Sequence, residues 1–168
     1  MKKLLLLALF AVATKTSFTQ TTFDKIGYFG DYKAEWALVE EGGKQGFINK
    51  SGQVVVNPEY DKIGYFRDYK KNWALVEVDK KLGFINDEGE CIVKPKYDKI
   101  GYFNEYKCDW ALVELNGKFG FIDDKGQEIV PPIYDAIGYF GEFDRNIAEV
   151  TLNGKKTFIN KDGQLIAQ

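Results

Sequence analysis

The chain has 168 residues, 45% of them hydrophobic, enough for a core within one domain. Its formal net charge is −2, so it is a poor candidate for nucleic acid or an anionic membrane surface, which want a basic stripe, and no nucleic-acid partner is expected. It contains no histidine, which removes Ser-His-Asp and Cys-His constellations and most zinc sites.

The first element reads as a leader. Lys2 and Lys3 precede an uncharged apolar run over residues 4–13. That run is shorter than the roughly 20 residues a membrane-spanning helix needs. It reads as a secretory signal peptide covering residues 1–19, with cleavage after Ala13 as the alternative. Cleavage before Gln20 leaves 149 residues at a formal charge of −5. The expected location is secreted or periplasmic, with no membrane span in the mature chain.

From Asp24 onward the chain repeats itself. Asp-Lys-Ile-Gly-Tyr-Phe begins at Asp24, Asp61 and Asp98, and Asp135 opens the near copy Asp-Ala-Ile-Gly-Tyr-Phe, a constant spacing of 37 residues. The units are 23–59, 60–96, 97–133 and 134–168. The first two agree at 22 of 37 positions. A fixed period of this size marks one supersecondary unit stacked on copies of itself.

Within copy two, residues 63–66 form a short apolar-aromatic run and residues 67–72 a polar turn. Residues 73–78 form a second run rich in aromatic and β-branched residues. A tight turn follows at Asp79-Lys80-Lys81, where copies three and four have Asn116-Gly117 and Asn153-Gly154, a strong hairpin signal. Residues 82–85 are a third run, Gly89 closes the next turn, and residues 91–93 lead to Pro95. Pro58, Pro95 and Pro132 mark strand ends or sheet edges, since proline cannot donate to a ladder. No segment beyond the leader has a helical period. The expected fold is all-β: a tandem array of four 37-residue units, stacked openly, with a closed small propeller as the alternative. Copy four decays as a cap would: Ile147 replaces Trp and Thr157 replaces Gly.

Aromatic residues recur in register and are the candidate binding elements. The rows are Tyr28, Tyr65, Tyr102 and Tyr139; Phe29, Phe66, Phe103 and Phe140; Tyr32, Tyr69, Tyr106 and Phe143; and Phe47, Phe84, Phe121 and Phe158. Stacked repeats place like on like, so most of these rows are expected to be core ladders. The Trp row is expected to be wetter. In copy four Glu149 replaces Leu38, and strand alternation groups that position with Trp36, Trp73 and Trp110. Those Trp, with Tyr32, Tyr69 and Tyr106, are the candidate ligand-binding residues.

Cys91 and Cys108 have no counterparts in the other copies. Export would permit a disulfide between them, or they are two free thiols. Asp123-Asp124-Lys125-Gly126 is acidic, but Lys125 occupies a position where calcium wants oxygen, so it reads as an Asx-capped turn. No metal, cofactor or catalytic constellation is expected.

Copy three carries the set Tyr97-Asp98-Lys99-Ile100, Ala111-Leu112-Val113, Asn116-Gly117-Lys118-Phe119-Gly120-Phe121-Ile122-Asp123, Gly126 and Pro132-Ile133-Tyr134-Asp135. This set resembles the WG-repeat (KWG repeat) family, and the resemblance covers all four copies. The family's Trp before Gly is absent: Gln45, Leu82, Phe119 and Lys156 stand there. The resemblance implies a bacterial β-repeat array, often exported, without a general enzymatic activity. Two functions are expected from these readings. One is a non-enzymatic interaction or envelope scaffold for a protein partner. The other is polysaccharide or cell-wall binding along an exposed aromatic row.

Overall fold

The computed structural model describes residues 4–5 and 22–166. A two-residue strand β1 (Leu4–Leu5) pairs antiparallel with β2 (Thr22–Phe23). The rest of the expected leader and its cleavage points lie outside the described residues.

Four antiparallel four-stranded meanders follow, each with its strands in chain order. The first is β3 (Lys25–Ile26), β4 (Trp36–Glu41), β5 (Lys44–Asn49) and β6 (Val54–Tyr60). The second is β7 (Lys62–Ile63), β8 (Trp73–Val78), β9 (Lys81–Asn86) and β10 (Cys91–Tyr97). The third is β11 (Lys99–Phe103), β12 (Trp110–Leu115), β13 (Lys118–Asp123) and β14 (Glu128–Tyr134). The fourth is β15 (Ala136–Ile137), β16 (Ile147–Leu152), β17 (Lys155–Asn160) and β18 (Leu165–Ile166). The described residues contain no helix and no closed sheet. Substantial contacts between sheets join successive ones, such as β6 with β8 and β10 with β12, as in an open array.

The second and third sheets are buried on both faces because each lies between neighbours. One cluster joins Trp36, Phe47, Val56 and Tyr60 of the first sheet to Ile63, Ala74, Val76 and Ile85 of the second. The same set recurs at the next two junctions. In β8, Ala74 and Val76 therefore face the preceding sheet, while Trp73 and Leu75 pack in the cluster shared with the following one. Glu149 is tolerated in β16 because no following sheet covers it among the described residues. That substitution marks a position in the stack and not a wet face in every unit.

The hairpin turns obey their dihedrals. Asn116-Gly117 and Asn153-Gly154 both carry two positive φ values, as a type I′ turn requires. In the second sheet Asp79 (φ 51°) and Lys80 (φ 63°) adopt the same conformation without a glycine. A Cβ at Lys80 costs roughly 1 kcal/mol in this region. Lys80→Gly is therefore expected to raise the unfolding free energy by about 0.5–1 kcal/mol in urea denaturation. An unchanged or lowered value would contradict the turn assignment. The second turn of each unit is an Asx turn, as read: Asn49 Oδ1 accepts the N–H groups of Ser51 (3.1 Å) and Gln53 (3.0 Å), and Asp123 Oδ1 those of Lys125 (2.9 Å) and Gln127 (2.7 Å).

The prolines sit on edge strands, but not at strand ends. β6, β10 and β14 each run on to a buried Tyr after Pro58, Pro95 or Pro132, with register shifts along the way. The shift carries the last strand directly over the glycine of the strand before it. A Cβ on Gly83 would lie 2.7 Å from the Pro95 nitrogen and closer still to the Val93 carbonyl oxygen. Gly46 and Gly120 are crossed in the same way.

Candidate functional site: the aromatic seams

The seam between successive sheets is built from aromatic rings in a fixed order. At the first seam Tyr32 stacks on Tyr65 of the next sheet, with centroids 4.5 Å apart and planes 17° from parallel. Tyr69 meets Tyr102 at 4.7 Å and Tyr106 meets Tyr139 at 4.3 Å in the same manner. The inner Tyr of each pair also stands edge-on to Phe47, Phe84 or Phe121 of its own sheet. Beneath them Phe66, Phe103 and Phe140 meet Trp36, Trp73 and Trp110 edge to face.

This arrangement reverses the exposure expected from sequence. Trp36, Trp73 and Trp110 are only 6–7% exposed, so they form no open platform. The following sheet's Phe covers one side of each indole. A lysine covers it from another direction: Lys33, Lys70 and Lys107 place Nζ 4.2, 4.4 and 3.9 Å from the ring centres. Lys33 and Lys70 also donate to the backbone carbonyls of Asp87 and Asp124 in the next sheet. Each of these two lysines thus straps a seam. The signal was visible as Lys after the second Tyr in three copies, replaced by Asp144 in copy four, yet the sequence reading did not single it out.

The row expected to be a core ladder is the exposed one. Tyr65, Tyr102 and Tyr139 are 54%, 53% and 49% exposed, and Tyr28 is 82% exposed. The reason is local. The Gly N–H of the first, second and fourth units still bonds back to the second strand at 2.8 Å, and the Tyr after it faces outward even where β11 runs on to Phe103, while Phe66, Phe103 and Phe140 turn toward the indoles. Tyr32, Tyr69 and Tyr106, candidates from the sequence, lie half-buried beside this row. Burial pushes their hydroxyls above the ordinary tyrosine range, and the neighbouring Tyr of each pair adds to the effect.

Polar groups fix the seams in register. Asp61 accepts the Asp79 N–H at 2.7 Å with one oxygen and pairs with Lys44 of the preceding sheet at 2.6 Å with the other. Asp98 and Asp135 do the same with Lys81 and Lys118. At the position of the family's missing Trp, Gln45 accepts the Ile63 N–H across the seam at 2.8 Å. The lysine hydrogen bond is the main cause that holds Asp61, Asp98 and Asp135 below the ordinary aspartate value of 3.8. A depressed folded value means the unfolded chain binds more protons there. The stability these groups supply is present above that value and lost as pH falls through the folded ones. Asp98→Asn is expected to lower stability at pH 7 and to flatten the acid limb of the stability-pH curve. An unaltered acid limb would contradict the pairing.

Tyr97 donates to Glu128 of the next sheet at 3.0 Å, and burial with that carboxylate pushes its hydroxyl up to about 12. Cys91 and Cys108 stand as two free, exposed thiols. Cys91 opens β10 near the Tyr60 hydroxyl. Cys108 sits in a loop beside Asp109, 3.4 Å away.

A cleft of about 260 Å³ lies among Tyr69, Phe103 and Asp124, and a larger one of about 320 Å³ opens beside Tyr65. Tyr32, Tyr65 and Tyr69 wall it, Gly64 and Leu75 floor it, and Asp68, Glu77 and Lys62 edge it.

Four tandem meanders sharing buried seams define an open β-repeat array. The family described as "WG containing repeat" matches residues 46–81, 83–119 and 119–155, more than half of the chain, and the chain belongs to that family. No curated protein matches it.

Proposed function

We propose that this WG-repeat chain is an exported, non-enzymatic scaffold of the cell envelope that docks a protein partner along its exposed tyrosine row. One observation carries the reading: Tyr65, Tyr102 and Tyr139 are about half exposed, in constant register, each propped by a half-buried Tyr of the sheet before. Rigid tyrosines lose little conformational entropy when a partner covers them, and they offer both apolar surface and a hydroxyl. A sugar polymer prefers open ring faces, whereas stacking already occupies one face of each of these rings. The buried Trp row removes the platform that favoured glycan binding.

The test uses residues 20–168 as bait against envelope proteins and, in parallel, insoluble cell-wall glycan. The proposal expects saturable capture of a defined protein, lost in a Tyr65→Ser, Tyr102→Ser, Tyr139→Ser variant that keeps its circular dichroism. Retention on glycan with the same mutational loss would instead support polysaccharide binding.

A further inference from the structure

The three seams are alike in their rings and unlike in their charges, and the difference marks the cleft beside Tyr65. In the third sheet a Glu105 carboxylate oxygen hangs over Gly101, 3.2 Å from where a Cβ would stand, and Glu142 covers Gly138 at the same distance. The second sheet has Asp68 there, one methylene shorter, and no acidic oxygen covers Gly64. In the third sheet Lys99 pairs with Glu114 at 2.8 Å. Their counterparts Lys62 and Glu77 are register partners but form no ion pair. The second sheet thus keeps, beside the Tyr32–Tyr65 stack, an open cleft with three tyrosine rings, a Leu75 floor and two carboxylates free of any lysine partner among the described residues.

From this, and resting on the docking role proposed above, we infer that the cleft receives the guanidinium of an arginine from an extended segment of the partner protein. Tyrosine faces attract a cation, and the planar guanidinium stacks on them better than an ammonium does. A carboxylate at the rim takes its fork of donors. The apolar floor suits the aliphatic stem. Two carboxylates against one lysine leave the rim negative, and the mature chain is acidic overall.

The probe is acetyl-Gly-Arg-Gly-amide, titrated into the 20–168 chain and followed by amide chemical shifts, with its citrulline and lysine counterparts. Saturable shifts at Gly64, Tyr65, Asp68 and Leu75 are expected with the arginine peptide, at an affinity at least about fivefold above lysine and with no saturation by the uncharged citrulline. Asp68→Asn with Glu77→Gln, both at accessible positions, should weaken the arginine peptide at least about fivefold while the remaining spectrum stays unchanged. Equal binding of arginine and citrulline, preference for lysine, or shifts confined to other seams overturn the inference. The double variant leaves the tyrosine row intact. If it still captures the protein partner while the arginine probe fails on the parent, the cleft assignment alone falls. If the parent captures no protein at all, the docking reading falls.

Discussion

Trp73→Ala is expected to destabilise the chain by about 3–5 kcal/mol, among the largest effects of any single truncation. The indole is 7% exposed and lies against Phe84 at 5.3 Å and Phe103 of the next sheet at 5.7 Å, with Lys70 over its face. Removing it leaves a void at the centre of a junction, and neighbours held by two sheets relax only in part. It also frees Lys70 from one of its two anchors. The contrast is Tyr65→Ala. That ring is 54% exposed, so its loss should cost about 1 kcal/mol or less. Urea denaturation of the two variants decides the matter, and equal costs would mean that the seams are not packed as described.

Gly83→Ala carries the second large effect, about 2–3 kcal/mol, through crowding instead of a void. The new methyl group meets the backbone of β10 at Val93 and Pro95, which cannot rotate aside as a side chain could. The built-in control is Thr157, the fourth-unit counterpart of this glycine. There the last strand is only Leu165–Ile166, and among the described residues no proline strand crosses. Thr157→Ala should therefore change stability by no more than about 0.5 kcal/mol. A harmless Gly83→Ala would contradict the close crossing. The Gly that recurs here in the first three copies thus has a steric cause, while the residue before it varies from Gln45 to Leu82 to Phe119.

The fold was legible because the repeat imposed it. Asn116-Gly117 and its copies fixed the hairpins, the Asx turns followed from Asn49 and Asp123, and the constant period required stacking. Exposure was harder to read. Alternation in residues 73–78 separates two faces correctly, with Ala74 and Val76 on one and Trp73 and Leu75 on the other. It cannot reveal that a sheet inside a stack has no wet face. Glu149 misled for that reason: it reports the fourth sheet's place in the array. The exposed tyrosines escaped because a six-residue identity such as Asp-Lys-Ile-Gly-Tyr-Phe gives no sign of which of its two rings faces the seam. At the cleft Asp68 stands where the third unit has Glu105, one methylene longer, which is a small difference to read in sequence.

Hydroxyl-radical footprinting with residue-level mass spectrometry tests the exposure pattern on which the docking surface depends. It reads every aromatic ring in one experiment. Heavy labelling of Tyr28, Tyr65, Tyr102 and Tyr139 is expected, with protection of Trp36, Trp73 and Trp110 and of the buried Tyr60, Tyr97 and Tyr134. Labelling of the tryptophans ahead of Tyr65 and Tyr102 would contradict it, and would return the aromatic platform to the indole row.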